Sequence, residues 1–173
     1  MQSLVIYFSK AGQNYVNGEI KSLEVGNTEV VALKIAQLTN AQVFKVETIK
    51  DYPDDYRECC KVAQIEKSND IHPDLKNYLS DISNYGIIYI GYPIWYGSFP
   101  MPLVSLLERL DFNDKIIKPF VTHEGSKQAN SINDLNELCK GATIMDALVI
   151  KGSDVLNTDD IISNWINVSG ENE

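Results

Sequence analysis

Hydrophobic positions along the chain follow two alternating patterns. Short apolar runs rich in β-branched and aromatic residues predict buried strands, and longer segments with apolar residues three or four positions apart predict helices. The predicted strands are residues 4–8, 42–46, 86–91, 116–121 and 142–150. The helical segments begin near Asn27, Pro53, Pro100, Ile132 and Asp159. Strands therefore alternate with helices throughout the sequence.

This alternation predicts one three-layer α/β domain, residues 1–173, in which helices cover both faces of a five-stranded parallel sheet. Residues 86–91 form the strongest strand pattern, and a run that is apolar on both faces is typical of a covered parallel sheet. Ligands of such sheets bind beyond the carboxyl ends of the strands, where the strand order reverses. We therefore expect chemistry in the loops after the first, third and fourth strands.

The net charge of the chain excludes some kinds of binding partner. Lys and Arg number 15 and Asp and Glu number 24, which gives a net charge of −9. That balance argues against nucleic acid and against an anionic membrane surface, because both attract basic proteins. The sequence shows no signal-peptide pattern, so we expect a cytoplasmic protein. Cys59, Cys60 and Cys139 lack metal-ligand spacing and are predicted to be packing thiols, with no metal site.

The loop after the first strand holds candidate anion ligands in two halves. Ser9, Lys10, Ala11, Gly12, Gln13 and Asn14 follow the strand, and Gly26, Asn27 and Thr28 lead into the first helix. Hydroxyls and backbone amides at the start of a helix suit a phosphate group. The alternative is an ordinary glycine turn followed by an N-cap at Asn27 or Thr28. Between the halves, Asn17-Gly18 is a favoured hairpin turn.

The loop after the third strand is rich in aromatic residues. Pro93, Ile94, Trp95, Tyr96, Gly97, Ser98 and Phe99 place large side chains where a polar loop is usual. A planar aromatic ligand would explain them, because rings stack and loop amides give directional hydrogen bonds. The alternative is a hydrophobic loop that packs on its own helix or at a homodimer interface.

The loop after the fourth strand is polar and contains a glycine. It reads Thr122, His123, Glu124, Gly125 and Ser126 and can add hydroxyl and amide donors at the same edge of the sheet. His123 and Glu124 together suggest general acid–base catalysis, but no G-x-S-x-G motif of a serine hydrolase accompanies them. A solvated turn is the alternative.

Taken together, these three loops resemble those of the flavodoxin-like FMN-binding proteins, in the bacterial subfamily with a Trp-Tyr-Gly loop and a Thr-His-Glu-Gly-Ser loop. The resemblance covers essentially the whole chain and implies the sheet order 2-1-3-4-5 with FMN as a non-covalent cofactor. The chain departs from the family where residues 15–25 split the usual phosphate loop. A small hairpin is predicted there, and it could cover the site.

The resemblance also implies a role for each loop. The phosphate would be held by Ser9, Lys10, Ala11, Asn14, Asn27 and Thr28. The isoalloxazine would lie against Pro93, Ile94, Trp95, Tyr96 and Gly97. The ribityl chain or the far edge of the flavin would contact Thr122, His123, Glu124, Gly125 and Ser126.

Three functions are compatible with these features. The first is an electron-transfer flavodoxin that serves basic redox partner proteins, which an acidic surface would attract. The second is an NAD(P)H-dependent FMN oxidoreductase that reduces quinones or similar small acceptors. The third is a cofactor-free interaction module on the same fold, since fold does not fix function.

Overall fold

The main sheet of the computed structural model confirms the predicted α/β architecture. The structure describes residues 1–168, and residues 169–173 of the predicted domain lie outside that part. The strands are β1 (Gln2–Tyr7), β4 (Gln42–Lys45), β5 (Tyr85–Pro93), β6 (Ile116–His123), β7 (Thr143–Ile144) and β8 (Leu148–Lys151). They are parallel in the order β4-β1-β5-β6-β7, with β8 also paired to β6. This is the predicted order 2-1-3-4-5, with the fifth strand divided into β7 and β8.

The predicted hairpin insert is a small sheet of its own. Strand β2 (Gly12–Val16) pairs antiparallel with β3 (Glu19–Leu23). The two residues between them, Asn17 and Gly18, have φ angles of 51° and 86°. Positive φ at both central residues is the pattern of a type I′ turn, whose twist matches that of the flanking strands.

Helices cover both faces of the main sheet. They are α1 (Asn27–Thr39), α2 (Tyr56–Ser68), α3 (Met101–Leu107), α4 (Ser131–Leu138) and α5 (Asp159–Val168), and a 3-10 helix spans Gly152–Asn157. Helix α2 begins at Tyr56 rather than near Pro53, because the Asp55 carboxylate caps it by accepting a hydrogen bond from the Glu58 amide at 2.9 Å.

Strand β1 shows how the two layers are built. Leu4 and Ile6 point to the face covered by α3 and α4, whereas Val5 and Tyr7 point to the face covered by α1 and α5. Complete burial of a Leu or Ile side chain contributes about 1.5–3 kcal/mol, so both faces stabilise the sheet. With the sheet fixed, the carboxyl ends of β1, β5 and β6 meet at one edge.

Candidate functional site

A cavity of about 460 Å³ opens at this edge of the sheet. Its volume falls in the range of small-molecule and cofactor sites, about 300–1,000 Å³. It is bordered by the loops after β1, β5 and β6, by the hairpin and by α2. The lining residues are Ser9, Lys10, Gln13, Asn14, Tyr15, Asn27, Thr28, Tyr56, Cys59, Cys60, Ala63, Pro93, Ile94, Trp95, Tyr96, Thr122, His123, Glu124 and Ser126.

The structure brings together most of the residues predicted from sequence. All of the predicted cofactor residues line this cavity except Ala11, Gly97 and Gly125, which are exposed beside it. This placement establishes proximity, and the role of each residue stays a prediction. The two halves of the split phosphate loop meet, since a Cβ at Gly26 would lie 2.2 Å from Ser9 Oγ and 2.7 Å from the Lys10 carbonyl oxygen.

Hydroxyl groups form one polar wall of the cavity. Thr28 and Thr122 are buried, and their hydroxyl oxygens lie 2.8 Å apart. Because one hydrogen suffices for that bond, the other hydroxyl hydrogen is free to donate to a ligand. Ser9 Oγ accepts a hydrogen bond from the Glu29 amide at 3.1 Å, so its own hydrogen is also available. The wall thus offers neutral donors next to the start of α1, where the helix dipole favours an anion.

Two ionisable side chains of the cavity, Lys10 and His123, are held by hydrogen bonds to neighbouring backbone atoms. Lys10 Nζ donates to the carbonyl oxygens of Ala11 and Gln13 at 3.2 and 3.1 Å. His123 Nδ1 accepts from the Gly125 amide at 2.9 Å, which places the proton of the neutral ring on Nε2. Burial lowers the pKa of His123 below its ordinary value, in keeping with a neutral imidazole. His123 therefore acts as a hydrogen-bond donor through Nε2.

Aromatic side chains form another part of the cavity wall. Trp95 packs edge-to-face against Phe8 and Tyr52, with ring centroids 5.2 Å away in both cases. Tyr96 is 48% exposed and donates through its hydroxyl to the Cys60 carbonyl oxygen at 2.8 Å. In the aromatic loop, Trp95 thus packs against neighbouring aromatic rings, and both Trp95 and Tyr96 border the cavity.

Helix α2 and the hairpin supply residues that the sequence did not assign to the site. Tyr15, Tyr56, Cys59, Cys60 and Ala63 line the cavity, together with Gln13 of the predicted anion-binding loop. The rings of Tyr15 and Tyr56 lie 6.1 Å apart, so the hairpin and α2 share an aromatic contact. Burial raises the pKa of Cys59 to about 11, which keeps this thiol protonated and makes it an apolar wall group. Tyr56, Cys59, Cys60 and Ala63 lie three or four positions apart, and this helical spacing is the same for residues that face a core and for residues that line a cavity.

The fold and the site define a class: a doubly wound α/β protein with a ligand cavity at the carboxyl edge of its sheet. Residues 20–169 match the family model described as Flavodoxin, and the chain belongs to the flavodoxin family. Among curated proteins, no relative matches the sequence.

Solved structures show the same fold. A "putative flavoprotein" from Bacteroides uniformis has a TM-score of 0.74 and 23% identity, covering 95% of this chain and 97% of that one. A flavoprotein from Lactobacillus acidophilus in complex with FMN has a TM-score of 0.62 and 19% identity, with coverages of 92% and 98%. An NADH:FMN oxidoreductase (EMOB) has a TM-score of 0.51 and 13% identity, with coverages of 100% and 92%.

Membership of the flavodoxin family supports FMN as the cofactor. The residues of the cavity fit it, because hydroxyl donors and Lys10 suit a phosphate and the aromatic wall suits a planar ring. Glu124 is the exception, since its carboxylate would repel a phosphate and suits a hydrogen-bond donor instead. None of the described helices, within residues 1–168, is long and apolar enough to cross a membrane.

Proposed function

We propose that the protein binds FMN without a covalent bond and carries electrons between basic partner proteins. The observation that supports this most is that neutral hydroxyl donors and aromatic rings line the same cavity. FMN, when bound, supplies the electron chemistry, and the chain supplies binding, orientation and electrostatics.

The donor wall would hold the phosphate largely through neutral groups. Ser9 and Thr28 each present a hydroxyl, and Lys10 is the cation of that wall. Hydrogen bonds to a charged acceptor contribute about 1.5–3 kcal/mol each. Four or five of them, with ring contacts and after the costs of association, suffice for an affinity of about −12 kcal/mol, which is nanomolar.

The aromatic wall would orient the isoalloxazine and leave a route for electrons. Trp95 is held by its edge-to-face contacts, so it offers a fixed surface without an ordering cost on binding. Tyr96, half exposed at the mouth, lies where a partner could approach. The net charge of −9 would steer a basic partner to the protein, and salt would weaken that attraction.

A second candidate function is an NAD(P)H-dependent reduction of quinones or similar acceptors. It is favoured by His123, whose Nε2 hydrogen is available in the cavity to bind a carbonyl oxygen. The two candidates differ in one assay. Oxidation of NADH or NADPH by the FMN-loaded protein and a quinone, without another protein, would support the enzyme, and no turnover would support the carrier.

The binding proposal is tested by titrating the purified protein with FMN and following flavin fluorescence. We expect quenching that saturates at one FMN per chain, because the walls that surround the ring would contact it. Riboflavin serves as the matched ligand without phosphate and is expected to bind more weakly. A protein that leaves the fluorescence of FMN unchanged at micromolar concentration would refute the proposed function and favour the cofactor-free module.

A further inference from the structure

A four-residue turn carries the aromatic side chains of the loop after β5. The amide of Trp95 donates to the carbonyl oxygen of Ser98 at 2.8 Å, and the amide of Ser98 donates to the carbonyl oxygen of Trp95 at 3.3 Å. The two residues between them, Tyr96 and Gly97, have φ angles of 50° and 79°. Positive φ at both central residues is the pattern of a type I′ turn, as in the β2–β3 hairpin.

Tyr96 is an unusual residue for the first central position of such a turn. Type I′ turns favour Asn, Asp or Gly there, and a bulky side chain with positive φ is an outlier. This backbone conformation costs free energy and persists only where the surrounding structure holds it. Strain of this kind is concentrated at ligand sites, and Tyr96 lines the cavity. The turn therefore depends on contacts from outside it.

Helix α4 supplies those contacts. The amide of Asn130, directly before the helix, donates to the carbonyl oxygen of Gly97 at 2.9 Å. One oxygen of the Asp134 carboxylate accepts a hydrogen bond from the Ser98 hydroxyl, and the other accepts from the Asn130 side-chain amide at 3.1 Å. A single carboxylate thus connects the last residue of the turn to the residue that holds the carbonyl group of Gly97.

The surroundings of the Asp134 contact are buried and attached to the sheet. Ser98 is 1% exposed, so little water competes for its hydroxyl. Helix α4 is itself attached to β5, because the buried Tyr92 hydroxyl donates to Ser131 Oγ at 2.9 Å. Since β5 leads into the turn, the strand and the helix hold the turn from both of its sides.

The Tyr96 side chain is consequently fixed at both ends. Its backbone is held by the turn, and its hydroxyl donates to the Cys60 carbonyl oxygen of α2 at 2.8 Å. The ring therefore has a defined place at the cavity before a ligand binds, which lowers the cost of ordering it on binding.

We infer that Asp134 is a positioning residue for the cofactor, and that it acts through the turn of residues 95–98 to hold the Tyr96 ring against the flavin. The inference rests on the proposed FMN binding and adds to it a residue outside the cavity. Asp134 is not among the residues that line the cavity, so its effect on a ligand has to pass through Ser98 and Asn130.

The first test measures the affinities of FMN, riboflavin and lumiflavin, which has the same ring but no ribityl chain, for the wild type and for Asp134→Ala. Because the three ligands share the ring, we expect the variant to bind each of them about 3- to 10-fold more weakly, the loss of one aromatic contact. Glu137→Ala, at an exposed position further along α4, removes the same charge and should leave the three affinities unchanged.

Asp134→Asn separates the position of the side chain from its charge. The Asn oxygen can accept from the Asn130 side chain, and the Asn amide can donate to the Ser98 hydroxyl oxygen, so both contacts are retained without the charge. We therefore expect this variant to bind the three flavins within about twofold of the wild type, because no hydrogen bond is lost.

A double-mutant cycle with Tyr96→Ala identifies the group through which Asp134 acts. If that group is the Tyr96 ring, Asp134→Ala should weaken flavin binding in the wild type but not in Tyr96→Ala. A general loosening of α4 would weaken binding in both backgrounds. Ser98→Ala removes only the hydroxyl that contacts Asp134, and it takes the place of Asp134→Ala in the cycle if that variant does not fold.

The outcomes separate this inference from the proposed function. If the wild-type protein binds none of the three flavins, the proposed function is wrong and this inference falls with it. If it binds them, but Asp134→Ala has no effect or has the same effect with and without the Tyr96 ring, only the inference is overturned. An equal loss in Asp134→Asn and Asp134→Ala would overturn it as well, because the effect would then be one of charge.

Discussion

Replacing Thr28 by Val removes one hydroxyl from the donor wall and keeps the shape of the side chain. Thr28 is 1% exposed and lies 2.8 Å from the hydroxyl of Thr122, so the change acts inside the cavity wall. If Thr28 donates to the FMN phosphate, the variant loses a hydrogen bond to a charged acceptor, about 1.5–3 kcal/mol. The dissociation constant for FMN should then rise about 10- to 100-fold.

Riboflavin distinguishes this phosphate contact from a general disturbance of the site. Because riboflavin has no phosphate, Thr28→Val should lower the affinity for riboflavin by less than about threefold, which corresponds to the loss of a weak neutral contact. Thr122→Val is the matched control: it removes the neighbouring hydroxyl of the same pair, and we expect a smaller loss of FMN affinity. Both constants come from titrations of flavin fluorescence at fixed salt.

Unfolding by urea checks the same pair without a ligand. Either single variant leaves one buried hydroxyl without its partner and should lower the free energy of unfolding by about 1–3 kcal/mol. The double variant removes both partners and should recover part of that loss. Equal losses of FMN and riboflavin affinity in Thr28→Val would show that Thr28 does not contact the phosphate.

Two further predictions concern the turns and the surface. Gly97 (φ 79°) and Gly18 (φ 86°) have positive φ angles and open space around them. Ala at either position should therefore lower the free energy of unfolding only by the cost of a positive φ, about 1–2 kcal/mol. Urea unfolding that shows no loss of stability at both positions would contradict this. Hydrogen bonds to Asp70 and Glu108 raise the pKa of His72 above its ordinary value. Protonated His72 therefore stabilises the folded state fully when the pH is below the pKa that His72 has in the unfolded chain. This stabilisation is lost as the pH rises through the pKa of His72 in the folded protein. The free energy of unfolding, measured from acid to alkaline pH, should show this loss in the wild type and not in His72→Gln.

The architecture could be predicted from the sequence because the spacing of hydrophobic residues follows from which faces of each strand and helix are buried. Residues 86–91 are apolar on both faces because β5 lies between two helix layers. The division of the fifth strand was not predictable in this way. Residues 142–150 are apolar enough to read as one strand, but the backbone leaves the sheet between Ile144 and Leu148.

The candidate site was predictable where it lies in loops and not where it lies on a helix. Thr28 and Thr122 are far apart in sequence, yet the parallel sheet dictates that the loops holding them share an edge. The contribution of Tyr56 depends on how α2 is oriented over that edge, which hydrophobic spacing does not specify. Gly152 has no side chain, so its closeness to Glu124 and Asn27 becomes evident only from the structure.

The acidity of the chain has a spatial distribution that its sequence does not reveal. Among the described residues that line the cavity, the charged side chains are Lys10 and Glu124, which cancel, while His123 is neutral. The net charge of −9 therefore lies outside the cavity wall. An FMN phosphate would then be held mainly by dipoles, whose strength depends little on salt, whereas attraction of a basic partner acts through solvent and is screened within about 8 Å at physiological ionic strength. Cofactor retention and partner association would thus respond differently to salt, because the surplus charge is carried by residues that do not line the cavity.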